Sequence, residues 1–275
     1  MGVKSVFFLG ISVISALAAA VTYIISNLVI SIPIASAASF IGLIFLWAAV
    51  GAIASLFVDT RNECKKSEWI FRFYAFCIID IVTHLLRIRL HVSGSEILPG
   101  RNFLLVGNHR SAIDPILEMG VLRKYNLGFV AKKELFEIPV IGKIMHKRFC
   151  LSLDRENPRS KLQTIINAIN VIKSGTASIG IYPEGTRNTG RRLLPFKDGA
   201  FKIAQKTGCP IVVATIRNSD LVRKNAPFRK TDVYLDFVGV LDSEYVKQHK
   251  CGQISDVVKG MMEKALLGKE GHLKA

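Results

Sequence analysis

The sequence predicts an α/β protein: a mixed, mostly parallel sheet flanked by helices, preceded by an N-terminal membrane helical hairpin. Three observations carry this. No charged residue stands between Lys4 and Asp59. From Arg87 onward, short β-rich runs alternate with helical stretches, the pattern of a helix-covered sheet. The charge is lopsided: of 37 basic and 21 acidic residues in 275, all but one follow the uncharged stretch. An apolar fraction of 50% with 21% charged residues excludes a disordered polymer. The net charge of +16 points to an anionic partner, whether nucleic acid, a phosphate-bearing substrate or an acidic membrane surface.

The hairpin comes first. A helix needs about 20 apolar residues to cross a hydrocarbon layer of roughly 30 Å, and Val6 to Ile30 and Ile34 to Phe57 each reach that length. Pro33, with Ser26, Asn27 and Ser31 beside it, is read as the break, because proline cannot donate the helical hydrogen bond. Lys4 before the pair, with Arg61, Lys65 and Lys66 after it, puts both ends in the cytoplasm by the positive-inside tendency. A signal peptide ending near Ala16-Leu17-Ala18 is a rival reading, but apolar sequence runs on to Ile30. A hairpin confined to one leaflet is another. Cys64, Cys77, Cys150, Cys209 and Cys251 are odd in number and scattered, which suggests neither a disulfide framework nor a zinc site.

Trp69 to Leu86 reads as an amphipathic helix. Arg72, Asp80, Thr83, His84 and Arg87 share one arc, interrupted by Phe73 and Phe76, and the helix suits either the membrane interface or the cap of a soluble core. Arg87 to Val92 alternates like a half-buried strand, and Gly94 to Gly100 turns the chain. Phe103 to Gly107 is a short buried strand, followed by a helix from Pro115 to about Lys124. Further strands are expected at Gly128–Ala131, Phe149–Leu153, Ala177–Tyr182, Ile211–Ile216 and Val233–Val240. Helices are expected at Val140–His146, Ser160–Lys173, Ala200–Lys206 and Val257–Leu267.

Ligand sites in such sheets lie in the loops beyond strand carboxyl ends, and two of those loops are chemically unusual. Asn108-His109-Arg110-Ser111-Ala112-Ile113-Asp114-Pro115 offers a histidine able to act as a base near neutral pH and a carboxylate five positions on that could hold its second ring nitrogen. An aspartate N-cap beside an unrelated histidine would look the same. The second loop, Tyr182-Pro183-Glu184-Gly185-Thr186-Arg187, continues through Arg191 and Arg192 to Phe196 and Lys197. Its cations and glycines could gather guanidinium and N–H donors around a phosphate, or simply face solvent. Ser111 lacks the small-residue elbow of a hydrolase nucleophile, and no nucleotide fingerprint is present.

Taken together, these blocks resemble the glycerolipid acyltransferase family, and within it the bacterial 1-acyl-sn-glycerol-3-phosphate acyltransferases. Asn108-His109 with Asp114 resembles the family's first block, and Pro183-Glu184-Gly185-Thr186-Arg187 the third. Lys132-Lys133-Glu134-Leu135-Phe136-Glu137-Ile138-Pro139-Val140-Ile141-Gly142 is similar to the middle block, and Phe196 to Ala200 and Cys209 to Val212 to later segments. The blocks stand in the family's order between Asn102 and Arg217. One departure is Val212-Val213-Ala214, where many members have Val-Pro-Val, in a block the family uses to line the acyl pocket.

The resemblance implies a division into a membrane-anchoring hairpin (1–58), an amphipathic interfacial helix with lead-in strand (59–90) and an acyltransferase catalytic domain (91–275). It implies transfer of an acyl group from acyl-CoA or acyl carrier protein to the sn-2 hydroxyl of lysophosphatidic acid, with no cofactor and no metal. His109 would be the general base and Asp114 its orienter. Lys132, Glu184, Gly185, Thr186 and Arg187 would form the phosphate side, with a backbone N–H of that loop as oxyanion donor and Asn108 as loop support. Acylation of another lysolipid or of glycerol 3-phosphate is a sibling reading. A non-catalytic tether for anionic lipids is one of a different class, although it has no use for His109 and Asp114 at this spacing. No element suited to reading nucleic acid is present.

Overall fold

The computed structural model describes residues 3–26, 31–60, 64, 67–190 and 192–270. Helices α1 (Val3–Ser26) and α2 (Ser31–Leu56) form from the uncharged stretch and pack on each other. Within α2, Ile34–Leu56 has a mean hydropathy of 2.2 and is long and apolar enough to cross a membrane, while the corresponding run in α1, Phe8–Tyr23, is shorter. Ile34, Phe45, Leu46, Leu56 and Phe57 are exposed. Apolar surface on that scale calls for lipid, so the chain associates with membranes. Pro33 does not separate the helices. It lies in the first turn of α2, where the N–H it lacks has no intrahelical partner in any case. Asn27, Arg61, Lys65, Lys66 and Arg191 lie outside the described residues.

Helix α3 (Trp69–Leu85) couples the hairpin to the rest. The Tyr74 ring stacks on Trp47 of α2 at 4.8 Å, and its hydroxyl donates to the Trp47 carbonyl at 2.6 Å. Near the other end of α3, His84 meets the Phe8 ring of α1 at 6.5 Å. Part of the polar arc turns into the protein, where Asp80 pairs with Arg123, while His84 and Arg87 stay exposed. The Phe76 ring lies against the guanidinium groups of Arg72, Arg123 and Arg148 at 5.6, 5.0 and 5.3 Å. Arg148 is buried, which pushes its pKa down to about 10, and it donates to Ser67 Oγ at 3.2 Å. The middle of the helix, from Phe71 to Asp80, covers the core. Trp69 and Leu85 at its ends stay exposed.

The sheet has strands β1 (Ile88–Ser93), β2 (Leu104–Gly107), β3 (Leu127–Lys132), β4 (Leu151–Leu153), β5 (Ser178–Ile181), β6 (Ile211–Arg217) and β7 (Thr231–Leu241), in the order β1-β7-β6-β2-β5-β3-β4. Strands β6, β2, β5, β3 and β4 run parallel, and β7 is antiparallel to β6 with β1 parallel to β7. The alternation in β2 explains why both faces need cover: Leu104 and Val106 enter one buried cluster, Phe103 and Leu105 the other. Helices α4 (Asp114–Val121), α5 (Ile141–Lys147), α6 (Pro158–Lys173), α7 (Lys202–Thr207), α8 (Val222–Asn225), α9 (Ser243–Gln248) and α10 (Cys251–Glu270) join and cover these strands. The last helix starts six residues before the expected Val257, and α9 was not foreseen; it is short and capped by Asp242, whose carboxylate accepts from the Tyr245 N–H at 2.8 Å. Because five neighbouring strands share a direction, Gly107, Lys132, Leu153, Ile181 and Arg217 end on one edge of the sheet.

The hairpin joint is closely packed at Gly51, where a Cβ would lie 2.6 Å from the stacked Tyr74 ring. Gly51→Leu is expected to destabilise the detergent-solubilised protein by about 1–3 kcal/mol, as overpacking of a fixed neighbour does. Proteolytic release of the hairpin at lower temperature than in the parent would register it; an unchanged profile would mean that the α2–α3 contact does not hold the two together.

Candidate active site

The loop after β2 folds back on itself around one carboxylate oxygen. Asp114 opens α4 and is fully buried. Its Oδ2 accepts the Arg110 N–H at 2.7 Å, the Ser111 N–H at 2.7 Å and the Nδ1 of His109 at 2.9 Å. An oxygen already accepting two N–H groups has room for a third donor, so Nδ1 carries the ring proton and Nε2 is left with its lone pair. The aspartate is therefore no helix N-cap: the residue in that place is Ile113, and the carboxylate is committed to the loop behind it. Asn108 clamps the start of the loop to β6, donating to the Ile216 carbonyl at 3.0 Å and accepting the Ile216 N–H at 2.8 Å.

The His109 ring also rests on Tyr182, the first residue after β5, with centroids 4.2 Å apart and planes 5° from parallel. The Tyr182 hydroxyl donates to Glu118 Oε2 at 2.7 Å. Glu118 is buried one helical turn beyond Asp114 on α4. Burial pushes its carboxyl up to about 8, with the Tyr182 hydrogen bond opposing the rise and the Asp114 charge adding to it. Burial, then the charges of Glu118 and Asp114, hold the Tyr182 phenol well above its ordinary value, so it remains a donor. Tyr182 and Glu118 were missed from sequence. The available signal was the acid four residues after Asp114, on the same face of an otherwise apolar helix.

Glu184 braces the second loop from within. One oxygen accepts the His109 N–H at 3.3 Å, and the other accepts Asn188 Nδ2 at 2.9 Å and the Leu194 N–H at 3.0 Å. Asn188 returns the tie by donating its own N–H to the His109 carbonyl at 2.7 Å. Gly185 takes a φ of +71°, which glycine adopts without strain, and its N–H donates to the Tyr182 carbonyl at 3.0 Å. That N–H is thus already engaged and is not a free oxyanion donor. A Cβ on Gly185 would lie 2.6 Å from Lys197 Nζ, so the Lys197 ammonium sits over this turn. Thr186 and Arg187 are exposed. Lys132, at the end of β3, is 58% exposed and pairs with Glu134 at 2.8 Å. Among the described residues no hydrogen bond joins Thr186, Arg187 or Lys132 to the His109–Asp114 pair; topology brings them to the same edge, since β2, β5 and β3 are neighbours. Arg110 lashes the rim, reaching Asp220 at 2.8 Å and the Thr189 and Gly190 carbonyls at 3.2 Å.

Because the Glu118 carboxyl lies above its ordinary 4.5 in the folded chain, the native state binds more protons than the unfolded one between about 4.5 and 8, and stability falls as pH rises through that window. Glu118→Gln keeps an acceptor for Tyr182 and removes the titration, so its melting temperature should decline less than the parent's between about pH 5 and 8. Parallel curves would assign the decline to another group.

A family model described as Acyltransferase matches residues 89–217, which span the sheet from β1 to β6. The 1-acyl-sn-glycerol-3-phosphate acyltransferase of Borreliella burgdorferi is 34% identical over 194 residues, covering 67% of this chain and 76% of that protein. The Saccharomyces cerevisiae protein of the same name is 28% identical over 216 residues, covering 77% and 70%. Among solved structures, that of the 1-acyl-sn-glycerophosphate (LPA) acyltransferase of Thermotoga maritima superposes with a TM-score of 0.63 over 86% of this chain and 92% of that one; at 23% identity it is a likeness of fold.

Proposed function

The chain belongs to the 1-acyl-sn-glycerol-3-phosphate acyltransferase family, and from that premise we propose that it transfers an acyl group from acyl-CoA or acyl carrier protein to the sn-2 hydroxyl of lysophosphatidic acid. The observation that carries the reading is the 2.9 Å contact between His109 Nδ1 and Asp114 Oδ2 at the carboxyl edge of the sheet. Nε2 takes the proton of the acceptor hydroxyl as its oxygen attacks the thioester carbonyl carbon. A C–O bond forms, the tetrahedral adduct expels the thiolate by breaking the C–S bond, and the thiolate recovers the proton from Nε2. Asp114 fixes the tautomer and stabilises the transient imidazolium. Tyr182 beneath the ring resists its rotation. The reaction needs neither metal nor redox cofactor.

On the phosphate side, Arg187, Lys132 and the Gly185 turn with Thr186 meet the acceptor's phosphate, and Glu184 keeps that loop in register with His109. An exposed guanidinium and ammonium on neighbouring loops suit a dianion that arrives from the bilayer surface. In this reading the catalytic domain faces the cytoplasm, where the thioester donor is dissolved; the basic excess beyond Asp59 supports that orientation by the positive-inside tendency.

His109→Ala should lower acyl transfer at least about 100-fold with membrane association intact, as loss of a general base implies. The measurement is labelled lysophosphatidic acid offered with each donor; unchanged turnover would sink the mechanism and leave a lipid tether. Arg187→Ala should raise the KM for lysophosphatidic acid several-fold and leave the thioester KM near the parental value. The opposite split would move Arg187 to the donor side.

A further inference from the structure

The segment formed by α8 and the turn that leads into β7 is built for a surface that the catalytic site does not account for. Residues 222–230 carry Arg223, Lys224, Arg229 and Lys230 with no acid among them, and all four are exposed. Between these cations Phe228 is 85% exposed, an arrangement that costs hydrophobic free energy in water. The loop is fixed in place: the Arg229 N–H donates to the Asn225 carbonyl at 2.7 Å, Asn225 Nδ2 to Thr231 Oγ1 at 3.0 Å, and Arg87 Nη1 to the Phe228 carbonyl at 3.3 Å. Phe228 is thus held outward by its own backbone.

Beside it lies a cleft of about 480 Å³ lined by Thr83, His84, Arg87, Ile88, Arg89 and Lys230. Asp232 pairs with Arg89 at 2.7 Å and with His91 at 2.8 Å, and no acid lines the cleft itself. Two placements say what faces it. His84 touches Phe8 of α1, and the adjoining Leu85 is 62% exposed, so the cleft opens at the base of the hairpin where a bilayer surface would pass. Ile88 and Thr231 are paired at the starts of β1 and β7, on the edge of the sheet where β6 ends, with β1 three strands and β7 two strands along from β2, which leads into His109.

We propose that the 222–230 loop and this cleft form a second membrane contact, which receives the headgroups of anionic bilayer phospholipids with Phe228 seated in the interface. The hairpin meets the domain through α3; a second, cationic contact at the carboxyl edge of the sheet holds that edge to the lipid. An acidic protein would feel the same charges, but the continuity with α1 and exposed Leu85 favours lipid. The contact does not depend on the acyl-transfer reading and is measured without turnover.

The test is Phe228→Trp in the full chain, reconstituted in vesicles and read as a difference spectrum against the parent, which keeps Trp47 and Trp69. With phosphatidylglycerol in phosphatidylcholine, the added emission should shift to the blue and be quenched by lipids brominated high on the acyl chain. Pure phosphatidylcholine should give little of either. Removing basic residues by Arg229→Ala and Lys230→Ala should weaken the dependence on phosphatidylglycerol about fivefold for each, since a cation near an anionic surface contributes on that scale. The proposal is overturned if the residue 228 signal in phosphatidylglycerol vesicles stays that of a water-exposed indole. It is equally overturned if inorganic phosphate, or a purified acidic carrier protein, moves the signal and lipid does not.

Discussion

One buried oxygen organises the site. Oδ2 of Asp114 accepts two backbone N–H groups and an imidazole N–H, and this ties the orientation of His109 to the conformation of the whole 108–114 loop. A carboxylate with no exposed surface is tolerated only when such donors surround it. The rest of the architecture supplies that burial: β2 is covered on both faces, α4 closes over the loop, and Asn108 fastens its start to β6. Loss of the carboxylate would therefore release the loop as well as the His109 imidazole.

The second loop is built against the first. Glu184 and Asn188 bind the main chain of His109 from the β5 side, and Tyr182 supplies the floor of the ring. Below that floor, Glu118 keeps a proton that a solvent-exposed acid would lose, which spares the site a second buried negative charge next to Asp114. A protonated acid and a phenol thus form a column under the His109 imidazole. The surface above differs in kind: Arg187 and Thr186 are exposed, and Lys132, also exposed, pairs with Glu134.

Much of this was legible in the residues. The uncharged stretch, the alternation of β-rich and helical runs and the two loops after β2 and β5 identify the hairpin, the sheet and its working edge, because periodicity and charge report burial directly. Other features depend on contacts between distant parts. Tyr182 reads as a strand-end aromatic until β5 is set beside β2, and Glu118 reads as a helix acid until α4 is packed down. The amphipathic pattern of α3 suits the membrane interface or the cap of a soluble core alike, and its contacts with the core come from Arg123 and Arg148, which follow it by roughly forty residues or more. Pro33 reads as a break from its missing N–H alone, but in the first turn of α2 that N–H has no partner to lose.

The central claim is that Asp114 holds His109 with Nδ1 protonated and Nε2 bare. Nitrogen NMR of the full chain with labelled histidine, at neutral pH and assigned by His109→Gln, reads this directly. The account predicts the proton on Nδ1, held by the contact with Asp114, and its loss from that nitrogen in Asp114→Asn. A ring protonated on Nε2 in the parent, or one indifferent to the loss of the carboxylate, would contradict it.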